Sequence, residues 1–368
     1  MKKQRICIIG DGLAGLTTAI TLNNLNNVEV HLIAKKKRNY LDKRATAISE
    51  SNFKFLKENI VNLNTKLFWP SKIISLFYEE NNKNVNFLNF EEKDNNLVRI
   101  FENNKFKNVL LKNLKKNNIK IINKNIKSLD SLKNYNLIIL CLGANSKIYE
   151  KITKNRSIKK NYEEISVTGF VKHKIKNLTT SQFFLKEGPL AILPFSKNYF
   201  SFVWSLDKNF YQNVSKKIIK IVKYKIKDIL KIKNSIQITN IQSYPIKLGL
   251  KTKYSNKNIM ILGEGLHSVH PIAGQGFNLV LRDIKELKKI LNYYAKLGIL
   301  FNASYLLDDF EKKRKPENIF FGLGIDLTRV FFKKNIYLDS FKKIILNNIN
   351  RFPQLNKISK KISNRGFI

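Results

Sequence analysis

The sequence predicts an α/β protein, in which a parallel-sheet domain is interleaved with a mostly antiparallel one and followed by a helical C-terminal region. Three observations support this fold. A strand, a glycine-rich turn and a helix follow one another twice, once near each end of the chain. Between these units, residues 65–94 and 161–245 carry short apolar runs bounded by turn residues, which are typical of strands. From residue 301 onward the apolar spacing is helical.

The first unit has the pattern of the βαβ unit that opens a Rossmann-like domain. Residues 5–9 and 28–34 are predicted strands, and a G-x-G-x-x-G turn leads from the first strand into a helix. The glycines of such a turn permit a tight bend, close approach of a diphosphate and close helix packing. We therefore predict that a dinucleotide is bound by Gly10, Gly12, Leu13, Ala14 and Gly15. The carboxylate expected after the second strand, to bind the ribose, is absent because Ala34 and Lys35 stand there.

The second unit is a predicted strand at residues 259–262, a glycine-rich loop at 263–278 and a helix that stops at Gly298. Pro271 stiffens the loop, while Gly274 and Gly276 remove side chains that would keep a ligand from the backbone. The helix directs unpaired N–H groups and the positive end of its dipole at the loop. The loop therefore suits a ligand that develops negative charge.

This loop resembles the second flavin-contacting motif of the FAD-dependent aromatic hydroxylases, GDAAHxxHPxAGQGxNLxxxD, in register from residue 263 to residue 283. The resemblance implies that Glu264 binds the ribityl chain of FAD and that His270 and Pro271 lie beside the flavin ring. It also implies that the turn of Gly274, Gln275 and Gly276 faces the pyrimidine end of the ring, and it adds Asn278 to the cofactor-binding residues. Taken without the resemblance, the loop could be an ordinary βα turn with a structural histidine.

Two further segments resemble the same flavoproteins. Residues 42–49 resemble their DxRxxAIS segment, which implies that Arg44 contacts the FAD diphosphate; considered alone, Arg44 could be one more solvated cation. Where the family has ADGxxS, this chain has Leu142 in place of the aspartate, with Tyr149 near the usual position of an arginine.

The segments GPLAILP (188–194) and FVWSL (202–206) narrow the resemblance to the ubiquinone-biosynthesis hydroxylases, of the 2-polyprenyl-6-methoxyphenol hydroxylase type. By this resemblance Pro194 lies near the reacting edge of the flavin, on the substrate side. The same residues would also suit the plain core of an antiparallel sheet.

The resemblance implies a FAD-dependent monooxygenase that hydroxylates a phenol ring, with NAD(P)H and dioxygen, through a flavin hydroperoxide. The implied substrate is a polyprenylated phenol in ubiquinone biosynthesis. No catalytic side chain is assigned, because the flavin carries the chemistry. Three alternatives stay open: a hydroxylase of another aromatic molecule, a non-catalytic accessory flavoprotein of a biosynthetic complex, and nucleic-acid binding suggested by the charge alone. The second alternative is motivated by the missing acidic residues at Ala34 and Leu142.

The expected domain organisation is discontinuous. We expect a FAD-binding domain at residues 1–64, 95–160 and 246–300, and a substrate domain at 65–94 and 161–245. C-terminal helices are expected at 301–368. In the tail, Phe331 and Phe332 begin an apolar and basic stretch, which could either rest on a membrane surface or pack into the core.

The composition of the chain indicates which kinds of binding partner to expect. With 68 basic and 27 acidic residues the net charge is +41, but lysines are spread along the whole chain and no nucleic-acid-binding motif accompanies them. We therefore expect no nucleic-acid partner, while attraction to anionic lipid stays open. Four histidines without a ligand pattern argue against a metal site. Cys7 and Cys141 read as buried thiols, and the N-terminus is unlike a signal peptide. These features favour a cytoplasmic protein, with contact to the inner membrane face as an option.

Overall fold

The computed structural model describes residues 3–35, 42–126, 128–153 and 156–333. In this part of the chain the strands are β1 (Gln4–Ile9), β2 (Val28–Ala34), β3 (Ala45–Ser49), β4 (Trp69–Ser71), β5 (Ile73–Glu80), β6 (Lys83–Glu91), β7 (Val98–Glu102), β8 (Lys120–Asn123), β9 (Leu137–Leu140), β10 (Ser157–Lys172), β11 (Thr180–Leu185), β12 (Gly188–Ser196), β13 (Tyr199–Asp207), β14 (Gln237–Lys251), β15 (Ser255–Asn256), β16 (Ile259–Ile261) and β17 (His267–Ser268). The α-helices are α1 (Leu13–Asn23), α2 (Glu50–Asn59), α3 (Asn103–Lys116), α4 (Glu150–Thr153), α5 (Lys208–Val214), α6 (Ile218–Ile229), α7 (Gly276–Lys296) and α8 (Ser304–Phe332).

The predicted Rossmann-like sheet is present, with the strand order β15-β16-β9-β1-β2-β8. Its pairings are parallel except for the short β15–β16 pair. Strands β1, β9 and β16 are therefore neighbours that run in one direction, and their carboxyl ends lie at the same edge of the sheet. Both glycine-rich loops leave the sheet at this edge, where ligands of open α/β sheets bind.

The second sheet has eight strands in the order β17-β14-β10-β13-β12-β11-β5-β6, and it is antiparallel apart from the β5–β11 pair. One face packs against the apolar side of α6. The other face, here called the inner face, packs against a small sheet of β3, β7 and β4. The sequence did not predict this three-stranded sheet, and β4 belongs to it rather than to the large sheet.

The interleaved α/β fold predicted from the sequence is therefore confirmed, while the domain boundaries stay a prediction. Strands β10 and β14 pair along most of their length and run through the boundaries expected at 160/161 and 245/246. Residues 157–160 and 246–251 consequently lie in the antiparallel sheet.

The C-terminal region is helical from residue 304 to residue 332, and this helix α8 packs along α7. At its C-terminal end, Phe332 stacks on Phe184 of β11, with ring centroids 3.6 Å apart, so the start of the apolar tail packs into the core. The rest of the tail, residues 334–368, lies outside the described residues. None of the helices in the described ranges combines the length and apolar character that crossing a membrane requires.

A fully buried cluster of charged side chains joins α7, α8 and β17. Asp283 accepts a hydrogen bond from Arg314 Nε (2.7 Å) and contacts His267 Nε2 (2.7 Å). Asn318 donates to the same carboxylate (3.1 Å). Burial raises the pKa of Asp283, but its contacts with His267 and Arg314 lower the pKa more, to below its usual range. The ionised carboxylate of Asp283 therefore links both the glycine-rich loop, through His267, and α8, through Arg314, to helix α7.

Replacing Arg314 by Met should leave this carboxylate buried without its cation and destabilise the protein by about 3–5 kcal/mol. Chemical denaturation measures the change. Lys313→Met is the matched control, because Lys313 is half-exposed and lies 3.5 Å from Glu286, so its loss should cost at most about 1 kcal/mol. Since the pKa of Asp283 is depressed in the fold, the difference between wild type and Arg314→Met should shrink as the pH falls below about 4. Equal losses in the two variants would contradict this account.

Candidate functional site

The three glycines of the first turn have different structural roles. Gly10 has φ +124°, and a Cβ built on it would lie 2.1 Å from the Cys141 carbonyl oxygen. A Cβ on Gly15 would lie 1.9 Å from the Gly10 carbonyl oxygen. Around Gly12, by contrast, no described atom lies within 4 Å of the missing Cβ. Gly10 and Gly15 therefore let the chain pack on itself, whereas Gly12 leaves open space at the first turn of α1.

The second glycine-rich loop has the same division of roles. A Cβ on Gly276, the first residue of α7, would meet no described atom within 4 Å. Gly274 has φ +63°, which favours glycine, and lies beside Ala47 of β3. At the start of the loop, a Cβ on Gly263 would lie 3.0 Å from the Ala14 side chain. The two glycine-rich motifs therefore touch, and each leaves backbone open at a helix N-terminus.

Arg44 is positioned beside the loop by a carboxylate. Its Nε and Nη2 donate to the two Asp42 oxygens at 2.7 and 2.8 Å, and Asn103 donates to Asp42 at 2.9 Å. Burial raises the pKa of Asp42, but these hydrogen bonds lower the pKa more, to below its usual range. The guanidinium also lies over the Tyr244 ring (5.4 Å) and close enough to Glu264 for that charge to raise the Arg44 pKa. Arg44 is thus an oriented cation whose charge interacts with that of the predicted residue Glu264.

Glu264 itself is exposed, as a residue that contacts a ligand from the protein surface would be. Its neighbour Gly265 packs on Tyr149, whose hydroxyl accepts a hydrogen bond from the Leu142 N–H at 2.9 Å. Leu142 and Tyr149, the two residues that depart from the family pattern, are therefore in contact. Tyr149 fills the space between the turn after β9 and the second glycine-rich loop. Burial raises the pKa of Tyr149, so the residue is a neutral phenol.

Asn278, predicted as a cofactor ligand, uses its amide within the chain. Its Nδ2 donates to the Ala47 carbonyl (3.0 Å), and its Oδ1 accepts from Ser49 N (2.9 Å) and Asn52 Nδ2 (2.8 Å). The side chain is buried. Asn278 therefore fixes the N-terminus of α7 against β3 and α2, and a direct contact with the cofactor stays a prediction.

His270 is also fully buried and faces away from solvent. Its Nδ1 accepts the Ile272 N–H (3.3 Å), so Nε2 carries the hydrogen that is donated to Glu164 of β10 (2.8 Å). Arg329 of α8 donates to the other Glu164 oxygen (2.9 Å). Burial lowers the pKa of His270, only partly offset by Glu164, which keeps the ring neutral. These hydrogen bonds fix the position of His270, the residue before Pro271. Contact of His270 and Pro271 with a flavin ring stays a prediction.

The residues that the sequence analysis missed are mainly partners of the predicted ones. Asp42 binds Arg44, Glu164 binds His270, and Arg329 in turn binds Glu164. His267 and Asp283 join the loop to α7. Of these, Asp42, His267 and Asp283 stand in the matched motifs, so the motifs themselves were the available signal. Among the described residues, no group of three or more His, Cys, Asp or Glu side chains could hold a metal ion.

A small cavity lies between the inner face of the large sheet and the three-stranded sheet. It is lined by Ala47, Ile74, Val98, Thr180, Ser181, Gln182, Ala191 and Leu193. Strand β12 contributes Ala191 and Leu193 and also contacts the turn at residues 272–274. Pro194 pairs with Phe200, so strand alternation places its ring on the opposite face, towards α6. Its position near a reacting flavin edge stays a prediction.

Known structures share this fold. p-Nitrophenol 4-monooxygenase PnpA from Pseudomonas putida superposes with a TM-score of 0.80 at 13% identity, over 100% of this chain and 99% of that one. HpxO of Klebsiella pneumoniae, complexed with FAD, gives 0.72 at 12% identity over 99% of both chains. The fold is therefore that of the FAD-dependent aromatic monooxygenases.

Sequence comparisons identify more specific relatives of this chain than the shared fold does. Residues 204–354 match the squalene epoxidase family. The mitochondrial ubiquinone biosynthesis monooxygenase COQ6 of Dictyostelium discoideum is 28% identical over 213 residues, covering 48% of this chain and 43% of that protein. The 3-demethoxyubiquinol 3-hydroxylase of Escherichia coli is 25% identical over 177 residues, covering 43% and 41%. The resemblance to ubiquinone-biosynthesis hydroxylases is thus confirmed. These matches span less than half of the length of either relative.

The different roles of Gly12 and Gly15 give a matched pair of variants. Gly12→Ala should keep the stability of the apoprotein within about 1 kcal/mol, because its Cβ meets open space. It should nevertheless weaken FAD retention at least about tenfold, because the methyl group enters the space that a diphosphate would approach. Gly15→Ala should unfold the protein at lower temperature whether or not FAD is added. Thermal unfolding and FAD titration separate the two effects. Unchanged FAD affinity in Gly12→Ala would contradict the placement of the cofactor.

Proposed function

We propose that this protein is a FAD-dependent monooxygenase that hydroxylates an aromatic ring, with NAD(P)H as reductant and dioxygen as co-substrate. The observation that carries the proposal is the meeting of three separated motifs at one edge of the parallel sheet. Ala14 touches Gly263, the charge of Arg44 interacts with that of Glu264, and Ala47 touches Gly274. Around them the chain leaves two helix N-termini open, at Gly12 and Gly276.

The residues present fit FAD. The Gly12 turn and the guanidinium of Arg44 would hold the diphosphate, Glu264 would bind the ribityl chain, and the turn of Gly274 to Gly276 would face the flavin ring. When bound, FAD would supply the redox chemistry, taking up a hydride and activating dioxygen. The N-terminus of α7 would stabilise negative charge on the reduced ring. The remaining task of the chain is to orient the substrate ring and to keep water from it.

For the substrate we propose a phenol, and within this class a polyprenylated phenol of ubiquinone biosynthesis. The names of the Dictyostelium discoideum and Escherichia coli relatives support the pathway. A hydroxylase of another aromatic molecule remains the first alternative. An accessory flavoprotein of a biosynthetic complex is the second, favoured by Ala34 and Leu142, which replace acidic residues of the family pattern.

The purified protein should show flavin absorption, and the bands should bleach when NADH or NADPH is added under nitrogen. Readmission of air with a para-substituted phenol should yield a product heavier by one oxygen atom. The faster of the two nicotinamides identifies the natural reductant. Flavin bands that do not bleach with either nicotinamide would support the accessory flavoprotein. A protein that cannot be loaded with FAD would refute both.

We further propose that the protein works at an anionic membrane surface, on the cytoplasmic side of the inner membrane, where a prenylated substrate would partition. Helix α8 carries an exposed apolar stripe of Phe320, Leu323, Leu327 and Val330, spaced as one helix face. The net charge of +41 would attract anionic lipid. Together, these features are typical of a helix that lies on a membrane surface.

Co-sedimentation with vesicles containing anionic lipid tests the membrane proposal. The double variant Phe320→Gln and Leu327→Gln should lose about tenfold in vesicle affinity, because two exposed apolar side chains no longer enter the lipid. Ile219→Gln on α6 is the control, since Ile219 is similarly exposed but lies on another helix. Equal binding by the wild type and the α8 variant would place the contact elsewhere.

A further inference from the structure

The end of β2 lacks the carboxylate that dinucleotide-binding folds of this kind place there. In such folds an acidic side chain at this position binds the ribose of the adenosine. This chain has Ala34 and Lys35 instead. Ala34 is buried, and its methyl group accepts no hydrogen bond. An adenosine ribose bound at the first glycine turn therefore needs its hydrogen-bond acceptor from another residue.

Asp11 lies beside this position, within the first glycine turn itself. Ile9 pairs with Ile33 in the parallel ladder of β1 and β2, and the next residue, Gly10, donates its N–H to the Ile33 carbonyl at 2.9 Å. The turn is therefore hydrogen-bonded directly to the end of β2. When this register is continued by two residues, Asp11 stands next to the end of β2, where the carboxylate is missing.

The carboxylate of Asp11 is held by one cation and stays accessible. Its Oδ2 lies 3.7 Å from Nζ of Lys107, which reaches it from α3, and both side chains are 28% exposed. In the described part of the chain, this ion pair is the only polar contact of the carboxylate. Most of its capacity to accept hydrogen bonds is therefore free for a ligand.

A carboxylate in this turn is unexpected if the turn binds only a diphosphate. The next residue, Gly12, leaves the open space that a diphosphate would approach, and two negative groups so close together repel each other. Two hydroxyl groups on neighbouring carbons are a better match, because the two oxygens of one carboxylate can accept a hydrogen bond from each. The side chain of Asp11 therefore suits the ribose next to the diphosphate, rather than the diphosphate itself.

We propose that Asp11 binds the 2′- and 3′-hydroxyl groups of the adenosine ribose of FAD, in place of the carboxylate missing at the end of β2. This inference rests on the proposed function and adds to it the residue that recognises the adenosine half of the cofactor. Lys107 positions the carboxylate and offsets its charge beside the diphosphate.

The test compares two nucleotides on the full-length protein after removal of its flavin. They are FAD and the analogue with a 2′-deoxyadenosine half, which lacks one hydroxyl group that Asp11 would bind. The variants are Asp11→Ala, Asp11→Asn and, as control, Asp228→Ala. Asp228 also pairs with one lysine, Lys231, at 3.6 Å, but it lies on α6 beside the other sheet. Quenching of flavin fluorescence measures each affinity, and thermal unfolding measures the stability of each variant.

We expect the wild type and Asp228→Ala to bind FAD about tenfold more tightly than the deoxy analogue. Asp11→Ala should bind FAD at least about tenfold more weakly than the wild type, and should bind the two nucleotides alike. Asp11→Asn keeps the shape of the side chain but has a single acceptor oxygen, so it should lose most of the preference. Adding Ala34→Glu to Asp11→Ala should restore the preference, because a carboxylate returns to the end of β2.

An effect of charge alone predicts the opposite change. Loss of a carboxylate beside the diphosphate would then tighten the binding of FAD, in Asp11→Ala and Asp11→Asn alike. Tighter or unchanged affinity for FAD in both variants, or a wild type that binds FAD and the deoxy analogue alike, would overturn the ribose contact while the binding of FAD stands. A wild type that takes up neither nucleotide would refute the proposed function and this contact with it.

Discussion

Two carboxylates hold the loop on which the candidate site depends. Asp283 contacts His267 near the start of the loop, and Glu164 binds His270 in its middle. Their side chains are 0% and 13% exposed, so each carboxylate lies in a region of low dielectric. Each also binds an arginine of α8, Arg314 or Arg329. The loop can therefore present its backbone to a ligand while its histidines are fixed from behind.

Different residues of the two glycine-rich motifs make the fold rigid and leave backbone open to a ligand. Gly10 and Gly15 bring the first turn against β9 and α1, and Asn278 fixes the second helix against β3. The positions that remain open, Gly12 and Gly276, lie at the first turns of α1 and α7. A long anionic cofactor that spans both helix ends would replace the missing hydrogen-bond partners of their N–H groups. Most residues of the two glycine-rich motifs thus serve to position two short stretches of exposed backbone.

The sequence predicted the parts of this structure that depend on local chemistry. Strand, glycine turn and helix are adjacent in the chain, so the two open turns and their helices could be recognised from spacing alone. The roles of His270 and Asn278 could not, because their partners Glu164 and Ala47 lie 106 and 231 residues away. Asp42 stood in the matched segment, and its spacing of two from Arg44 was the only signal of the ion pair.

Pairing between strands that are distant in the sequence also explains the other features that the sequence did not predict. The strands β3 and β4 are five and three residues long, too short for a periodic pattern to show that they meet in a third sheet. The side-chain face of Pro194 follows from the register of β12 with β13, which no single strand reveals. Gln182 likewise reads as one polar residue in an apolar strand until the sheet places it against the cavity beside the loop.

We propose that FAD lies across the two open turns, with its ring beside the cavity. A crystal structure of the protein with bound FAD would show where the cofactor lies. We expect the diphosphate between Gly12 and Arg44, and the flavin ring between residues 274–276 and the cavity that Gln182 lines. Flavin bound at any other edge of the parallel sheet, or a ring that faces away from this cavity, would contradict it.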